Sequence, residues 1–420
     1  MTPLPTLVAA STVTLADRFI PVLGLIAFLA IALAFSQNRK LALKNWRIIV
    51  FGFGLQFGFA LIVLKTDFGR AFFRVLNDFF VAVVNSTQEG ATFVFGNLAK
   101  GGGPDSLGFF FAFNVLPTII FFSALSAILF RLGVIQLIVR AIAAVMQYTM
   151  KTSGAETLSA SANIFLGQTE APLIVRPFIP RMTNSEIMAV MVGGFATVAG
   201  GVMAAYVRFG IDAGHLLAAS VMSAPAALVV AKIILPEREV SPTQGAVTLQ
   251  IPKEYANVLD AAAGGASVGL KLAANVGAML LAFISLVAMV NYGLGFAHTS
   301  LGAILGWAFS PFAWVMGVPW SEATSFGALL GTKISVNEFL AYIQLADVKA
   351  AGTMSPRSIV IATYALCGFA NFSSIAIQIG GIGTIAPSRR ADVARLGLKA
   401  MIGGALASWM TAAIAGVLTA

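Results

Sequence analysis

Cysteine is nearly missing from this chain. Cys367 stands alone among 420 residues, so no intrachain disulfide can close and no thiolate metal centre can be assembled. Histidine is almost as scarce: His215 and His298 lie far apart with no acidic partner at ligand spacing, which argues against a metal centre and leaves each as a loop or helix-end residue. Charge is thin as well. Only 10% of residues are charged while 58% are hydrophobic, and the mean hydropathy of +0.90 excludes a soluble globular domain. The net charge of +9 does not point to nucleic acid, because the basic residues fall in short clusters between apolar runs rather than along one face. Met1 to Asp17 carries no Lys or Arg ahead of its apolar residues and so lacks the charged start of a secretory leader; the mature chain is expected to begin near Met1.

What is present is length of apolar sequence. Runs able to cross a hydrocarbon core of roughly 30 Å are read at 19–36, 47–64, 108–132, 184–206, 214–234, 269–292, 357–380 and 399–418, giving an all-α polytopic membrane protein of about eight spans. The densest basic loops are Arg39, Lys40, Lys44 and Arg47, and Arg389, Arg390, Arg395 and Lys399. The excess of basic residues in cytoplasmic loops assigns both to the cytoplasm, and the even number of runs between them agrees; both termini are then expected outside. Asp67 to Phe80 and Val134 to Met150 mix apolar residues with Arg70, Arg74, Asp78, Gln136, Arg140 and Gln147, and read as helices lying at the interface. Gly101-Gly102-Gly103-Pro104 lacks the Lys-Ser/Thr ending of a phosphate loop and reads as a flexible connection.

Two carboxylates interrupt the apolar sequence. Glu170 sits in Gly167-Gln168-Thr169-Glu170-Ala171-Pro172 and Glu338 in Ser335-Val336-Asn337-Glu338-Phe339. A carboxylate at bilayer depth costs roughly 2.5 to 3.5 kcal/mol on insertion scales, so such residues mark a substrate, ion or proton site. Both lie in segments of intermediate polarity, 153–181 and 318–345, broken by Pro172, Pro177, Pro180 and Pro319, which read as re-entrant hairpins. Each is followed by a Gly-bracketed polar stretch, Gly193 to Gly201 after the first and Gly368 to Ser374 after the second. The chain therefore divides into N-terminal helices and an interfacial segment (1–107), a first half (108–235), a hydrophilic linker (236–262) and a second half (263–420) repeating the first. Paired, interrupted elements of this kind point to a midplane binding site in inverted-repeat transporters, where unwound carbonyls hold a cation and half-helix ends meet polar ligand atoms. Close helix packing is the other reading of the glycine pairs, and a buried ion pair with Arg176 or Lys333 the other reading of Glu170 and Glu338.

Gly167 to Pro172, Val318-Pro319-Trp320 with Glu322-Ala323, Asn337-Glu338-Phe339 and Cys367-Gly368-Phe369-Ala370-Asn371 resemble the signature stretches of the concentrative nucleoside transporters, over the chain from about residue 19 to its end. The resemblance implies a homotrimer in the cytoplasmic (inner) membrane, with a scaffold domain, a mobile transport domain, and nucleoside uptake driven by an ion gradient, with no cofactor beyond the coupling ion. It further implies that Gln168 and Thr169 hydrogen-bond the nucleobase, that Glu170 acts beside them through water, that Val202 and Phe369 pack against the base, and that Glu338, Asn371 and Ser374 hold the ribose. Sodium would be held by the Asn163 side chain, the Leu166 and Val198 carbonyls, and Thr197 through side chain and backbone. Such an oxygen set suits a hard cation. Thr197 stands where a relative has Ser, keeping the hydroxyl and adding a methyl. Uridine-like pyrimidine nucleosides are the expected substrates, and protons the alternative coupling ion.

Gly265-Ala266-Ser267-Val268-Gly269 fits the Gly-x-Ser-x-Gly pattern of a serine nucleophile, which would make the chain an intramembrane hydrolase. A triad would need His215 or His298 oriented by an acid, and neither has one suggestively placed. The same pentapeptide suits close helix packing. A channel would want a continuous ring of similar polar groups rather than two different half-sites.

Overall fold

The computed structural model describes residues 15–102, 105–245 and 255–419. Residues 1–14, on which most of the leader expectation rests, Gly103 and Pro104 of the glycine-rich connection, and 246–254 of the linker lie outside the described residues. Within them every regular element is helical.

The chain opens with α1 (Leu15–Ala34), the short α2 (Arg39–Lys44), α3 (Trp46–Lys65) and α4 (Asp67–Phe95). The Thr66 hydroxyl accepts from Gly69 N and fixes the start of α4. The interfacial segment expected at 67–80 is the first part of this longer helix: nothing stops it until Gly96, whose φ of 59° ends the turn. Next come α5 (Phe111–Asn114), α6 (Leu116–Arg131) and α7 (Val134–Met150), the last with the expected bounds.

The first half then runs α8 (Gly154–Ala162), a turn, α9 (Ala171–Ile174), α10 (Asn184–Ala196), a break, α11 (Gly200–Arg208) and α12 (Ala213–Ile234). The second half begins with α13 (Val258–Gly295) and α14 (Leu301–Val315). It then repeats the pattern: α15 (Trp320–Ser335), a turn, α16 (Glu338–Ala351), α17 (Pro356–Leu366), a break, α18 (Phe372–Ile385) and α19 (Arg390–Leu418).

Six stretches among the described residues are long and apolar enough to cross a membrane, or seven if α14 and α15, bent by 116°, count as one. The eight apolar runs differ from this for local reasons. The run at 19–36 falls in the 20-residue α1, and that at 357–380 is split between α17 and α18 by the extended backbone from Cys367 to Asn371.

Burial separates an inner from an outer set. The apolar windows of the α10–α11 stretch, α12 and α19 are 94%, 89% and 89% buried, against 22% for α3 and 11% for α13. The core is therefore built where α10, α12 and α19 pack on one another, and small residues make that possible. A Cβ on Gly404 of α19 would come within 2.3 Å of the Phe195 Cβ on α10. The pentapeptide 265–269 is settled in the same way. It lies within α13, where Cβ atoms on Gly265 and Gly269 would strike α6 at 2.7 Å, and Ser267 donates to the Ala263 carbonyl one turn back. Its glycines serve helix packing, and His215 reaches Tyr364 at 3.3 Å.

Candidate functional site

The two breaks meet. Thr197 and Ala199 adopt extended backbone (ψ 167° and 144°) between α10 and α11, as do Cys367 and Asn371 between α17 and α18. Gly368 takes φ +116°, and a Cβ there would lie 2.6 Å from the Phe195 carbonyl oxygen and 2.9 Å from that of Ala196. The residue must be glycine for both reasons, conformation and contact.

Each hairpin turn reaches the broken helix of the opposite half. Gln168, buried in the first turn, donates through Nε2 to Ser374 Oγ on α18 at 3.1 Å and accepts at Oε1 from Gln378 Nε2 at 3.1 Å. In the second turn, Asn337 accepts from Leu340 N and so caps α16, which places Glu338 at that helix's positive end. Glu338 accepts at Oε1 from Tyr206 on α11, 3.0 Å, and at Oε2 from Asn371 Nδ2, 2.9 Å. Asn371 Oδ1 in turn accepts from Ser374 N at 2.9 Å, capping α18. One continuous chain of polar groups therefore runs Gln168, Ser374, Asn371, Glu338, Tyr206 through a buried region, every link a donor facing an acceptor.

Of the residues named from the sequence, Gln168, Glu338, Asn371 and Ser374 are joined in this chain. Thr169 adjoins it, its methyl 3.0 Å from where a Gly381 Cβ would stand on α18. Val202 and Phe369 are buried on α11 and in the second break. Glu170 is turned elsewhere: its Oε2 accepts from Gly167 N at 2.9 Å, and the side chain lines a largely apolar cavity of about 200 Å³ between the first hairpin and helices α6 and α13. The ion-pair alternative for Glu338 fails, since Lys333 Nζ donates instead to the Ala365 and Cys367 carbonyls and to Ser408, and no ion pair joins it to Glu338 among the described residues.

Tyr206 and Gln378 belong to the arrangement and were not singled out from the sequence. Gln378 stands one helical turn after Ser374, so the i, i+4 spacing was the available signal. Tyr206 had none beyond being a tyrosine in an apolar run.

Of the expected cation ligands, Asn163 and Thr197 both lie against Gly193 of α10. Asn163 Nδ2 donates to the Ser159 carbonyl at 3.1 Å, which fixes the amide so that Oδ1 points away; that buried oxygen has no hydrogen-bond partner among the described residues. Gly193 lies beside Asn163, the Thr197 hydroxyl donates to the Gly193 carbonyl at 2.9 Å, and Gly200 N donates to the Phe165 carbonyl at 3.1 Å, so hairpin and first break are closed on each other. No group of three or more His, Cys, Asp or Glu that could hold a metal exists among the described residues, so a transition-metal centre is not offered. A buried amide oxygen left without a donor is the kind of group a hard cation would satisfy.

Comparison with known proteins finds matches from residue 23 to residue 416. Residues 23–98, 112–213 and 215–416 match sequence profiles described respectively as "Na+ dependent nucleoside transporter N-terminus", "Nucleoside recognition" and "Na+ dependent nucleoside transporter C-terminus". Nucleoside permease NupC of Helicobacter pylori is 42% identical over 94% of this chain and 96% of its own. Sodium/nucleoside cotransporter 1 of Rattus norvegicus is 40% identical over 96% of this chain and 64% of its own. The solved structure of CNTnw in an inward-facing substrate-bound state superposes with a TM-score of 0.89 at 44% identity, over 96% of this chain and 98% of that one.

Proposed function

The chain belongs to the concentrative nucleoside transporter family, and from that premise we propose that it is a sodium-coupled symporter taking up pyrimidine nucleosides such as uridine by alternating access. It is a multi-pass membrane transporter of nucleosides and not an enzyme. The observation that carries the finer reading is the buried polar chain from Gln168 to Tyr206. Its groups are of the types that can exchange their mutual bonds for bonds to a ligand rich in hydroxyls and amides.

In this reading Gln168 presents both donor and acceptor to the edge of a uracil-like base, with Thr169 beside it. Val202 and Phe369 cover the faces of the base, and Glu170 acts through water. Glu338 accepts from a ribose hydroxyl, a charge-assisted bond that Asn371 and Ser374 support from the adjoining helix end. Sodium sits on Asn163 Oδ1, the Leu166 and Val198 carbonyls and Thr197, where it closes the first hairpin onto the break and so shapes the base-reading side before the nucleoside arrives. The domains are those read from the sequence: residues 1–107 in the scaffold, the two halves carrying the moving site, and 236–262 between them. A homotrimer in the inner membrane, with both termini outside, completes the proposal.

Uptake of labelled uridine into liposomes, with sodium and proton gradients imposed separately, tests it. Sodium should drive accumulation, and Thr197→Val should raise the sodium concentration for half-maximal uptake without lowering protein levels. Equal uptake with potassium replacing sodium and a proton gradient present would assign the coupling to protons instead.

A further inference from the structure

A second cavity lies away from the polar chain, where the end of α3 and the start of α4 face the starts of α12 and α17. Its volume is about 560 Å³. Its walls are held at fixed spacing: Asn77 Oδ1 accepts from Ala213 N at 2.9 Å, and Gly214 lies so near α4 that a Cβ would stand 3.1 Å from the Phe73 carbonyl oxygen. One wall is cationic. Lys65 ends α3, and Arg70 and Arg74 follow on one face of α4. Arg70 shares its charge with Asp67 at 2.7 Å, while Lys65 and Arg74 make no ion pair among the described residues. Arg357 also lines the space but is engaged with the Gly317, Gly416 and Thr419 carbonyls. Asp212 is the one carboxylate in the lining, and it caps His215 N. The cavity thus offers two uncommitted cations and a third half-committed, and it wants an anion.

Apolar side chains complete the wall: Val63 and Leu64 beside Lys65 on α3, Phe73 beside Arg74 on α4, and Val360 and Leu418. A free inorganic anion would leave those side chains wet. The position of α4 supplies the second reason to favour an amphiphile. Phe68, Phe72, Val75 and Phe79 recur at helical spacing on the face of α4 turned away from Arg70 and Arg74, and each is more than half exposed. A helix with such a face lies with it sunk at the headgroup and acyl boundary, which sets Arg70 and Arg74 at headgroup depth.

We propose that this cavity binds the phosphate group of an anionic phospholipid, with Lys65 and Arg74 as the principal phosphate ligands and the apolar side chains covering the glycerol end of an acyl chain. Basic side chains at a membrane surface attract anionic headgroups, and in the topology proposed above, where α3 leaves the cytoplasmic loop and ends at Lys65, those headgroups belong to the outer leaflet. The site is separate from the transport reading, and its test does not depend on which ion drives uptake.

Native mass spectrometry of the detergent-solubilised protein titrated with phosphatidylglycerol, phosphatidylcholine or inorganic phosphate gives the measurement. Phosphatidylglycerol should bind to wild type and phosphatidylcholine should not, and binding should weaken by about fivefold for each basic side chain removed in Arg74→Gln and in the double variant with Lys65→Gln. Arg39→Gln with Lys40→Gln, which removes exposed basic residues elsewhere, should leave it unchanged. Inorganic phosphate displacing the lipid at equal concentration would make this a free-anion site and overturn the proposal. Equal retention of phosphatidylcholine, or an unchanged affinity in a monodisperse Arg74→Gln protein, would also overturn it. Should the double variant not fold, the wild-type lipid and phosphate arms and the single variant still decide.

Discussion

At the scale of the residue, Glu338 is the side chain with most at stake, because its two oxygens hold Tyr206 and Asn371 from different halves of the chain. Glu338→Gln keeps the shape and removes the charge, so it should weaken uridine binding by roughly 1.5 to 3 kcal/mol, about ten- to a hundred-fold. Calorimetric binding of uridine and of deoxyuridines lacking the 2′ or 3′ hydroxyl, to wild type and variant, shows whether the loss is specific. If removal of a hydroxyl costs both proteins the same, Glu338 does not touch that hydroxyl. Residues of this kind were legible in the sequence because a carboxylate or a Gln-Thr-Glu run inside apolar sequence has no cheap explanation. Tyr206 and Gln378 were not, since an isolated Tyr or Gln in a buried helix is common and only the fold reveals what it faces.

At the scale of the element, the breaks were visible as Gly-bracketed polar stretches, yet the second was read as part of a continuous span at 357–380. An apolar window averages over a five-residue interruption and cannot see that Gly368 leaves the helical region. The buried cluster at the base of the first hairpin escaped for another reason. Lys232 pairs with Glu156 at 2.6 Å, and Glu186 accepts from Ser153, Ser241 and Thr243, so its members come from four separated segments and no local pattern links them. The break geometry makes its own prediction. Gly368→Ala adds a Cβ at a φ few side chains adopt and against the Phe195 carbonyl, and it should lower stability by about 1 to 3 kcal/mol. Thermal unfolding in detergent, followed by tryptophan fluorescence, should show the lower midpoint; an unchanged midpoint would mean the crossing relaxes without cost.

At the scale of the whole molecule, the proposed arrangement across the membrane rests on the two basic loops sharing a side. Cysteines placed at Asn38 and at Ser388 in a Cys367→Ala background should both resist an impermeant thiol reagent added from outside, and labelling of one alone would break that topology. The crossing of the breaks has a consequence for how the protein comes into being. Each half buries its unwound segment against the other, and each hairpin finds hydrogen-bond partners on the other half's broken helix. A first half emerging from the ribosome therefore lacks the partners of Gln168 and of the Phe195 carbonyl until the second half has been made, and its exposure to quality-control proteolysis in that interval is the expected outcome. Residues 1–245 expressed alone should be degraded rapidly in pulse-chase labelling, and coexpression with 246–420 should lengthen their lifetime. A stable solitary first half would show that the crossing is assembled from two self-sufficient pieces rather than completed by their meeting.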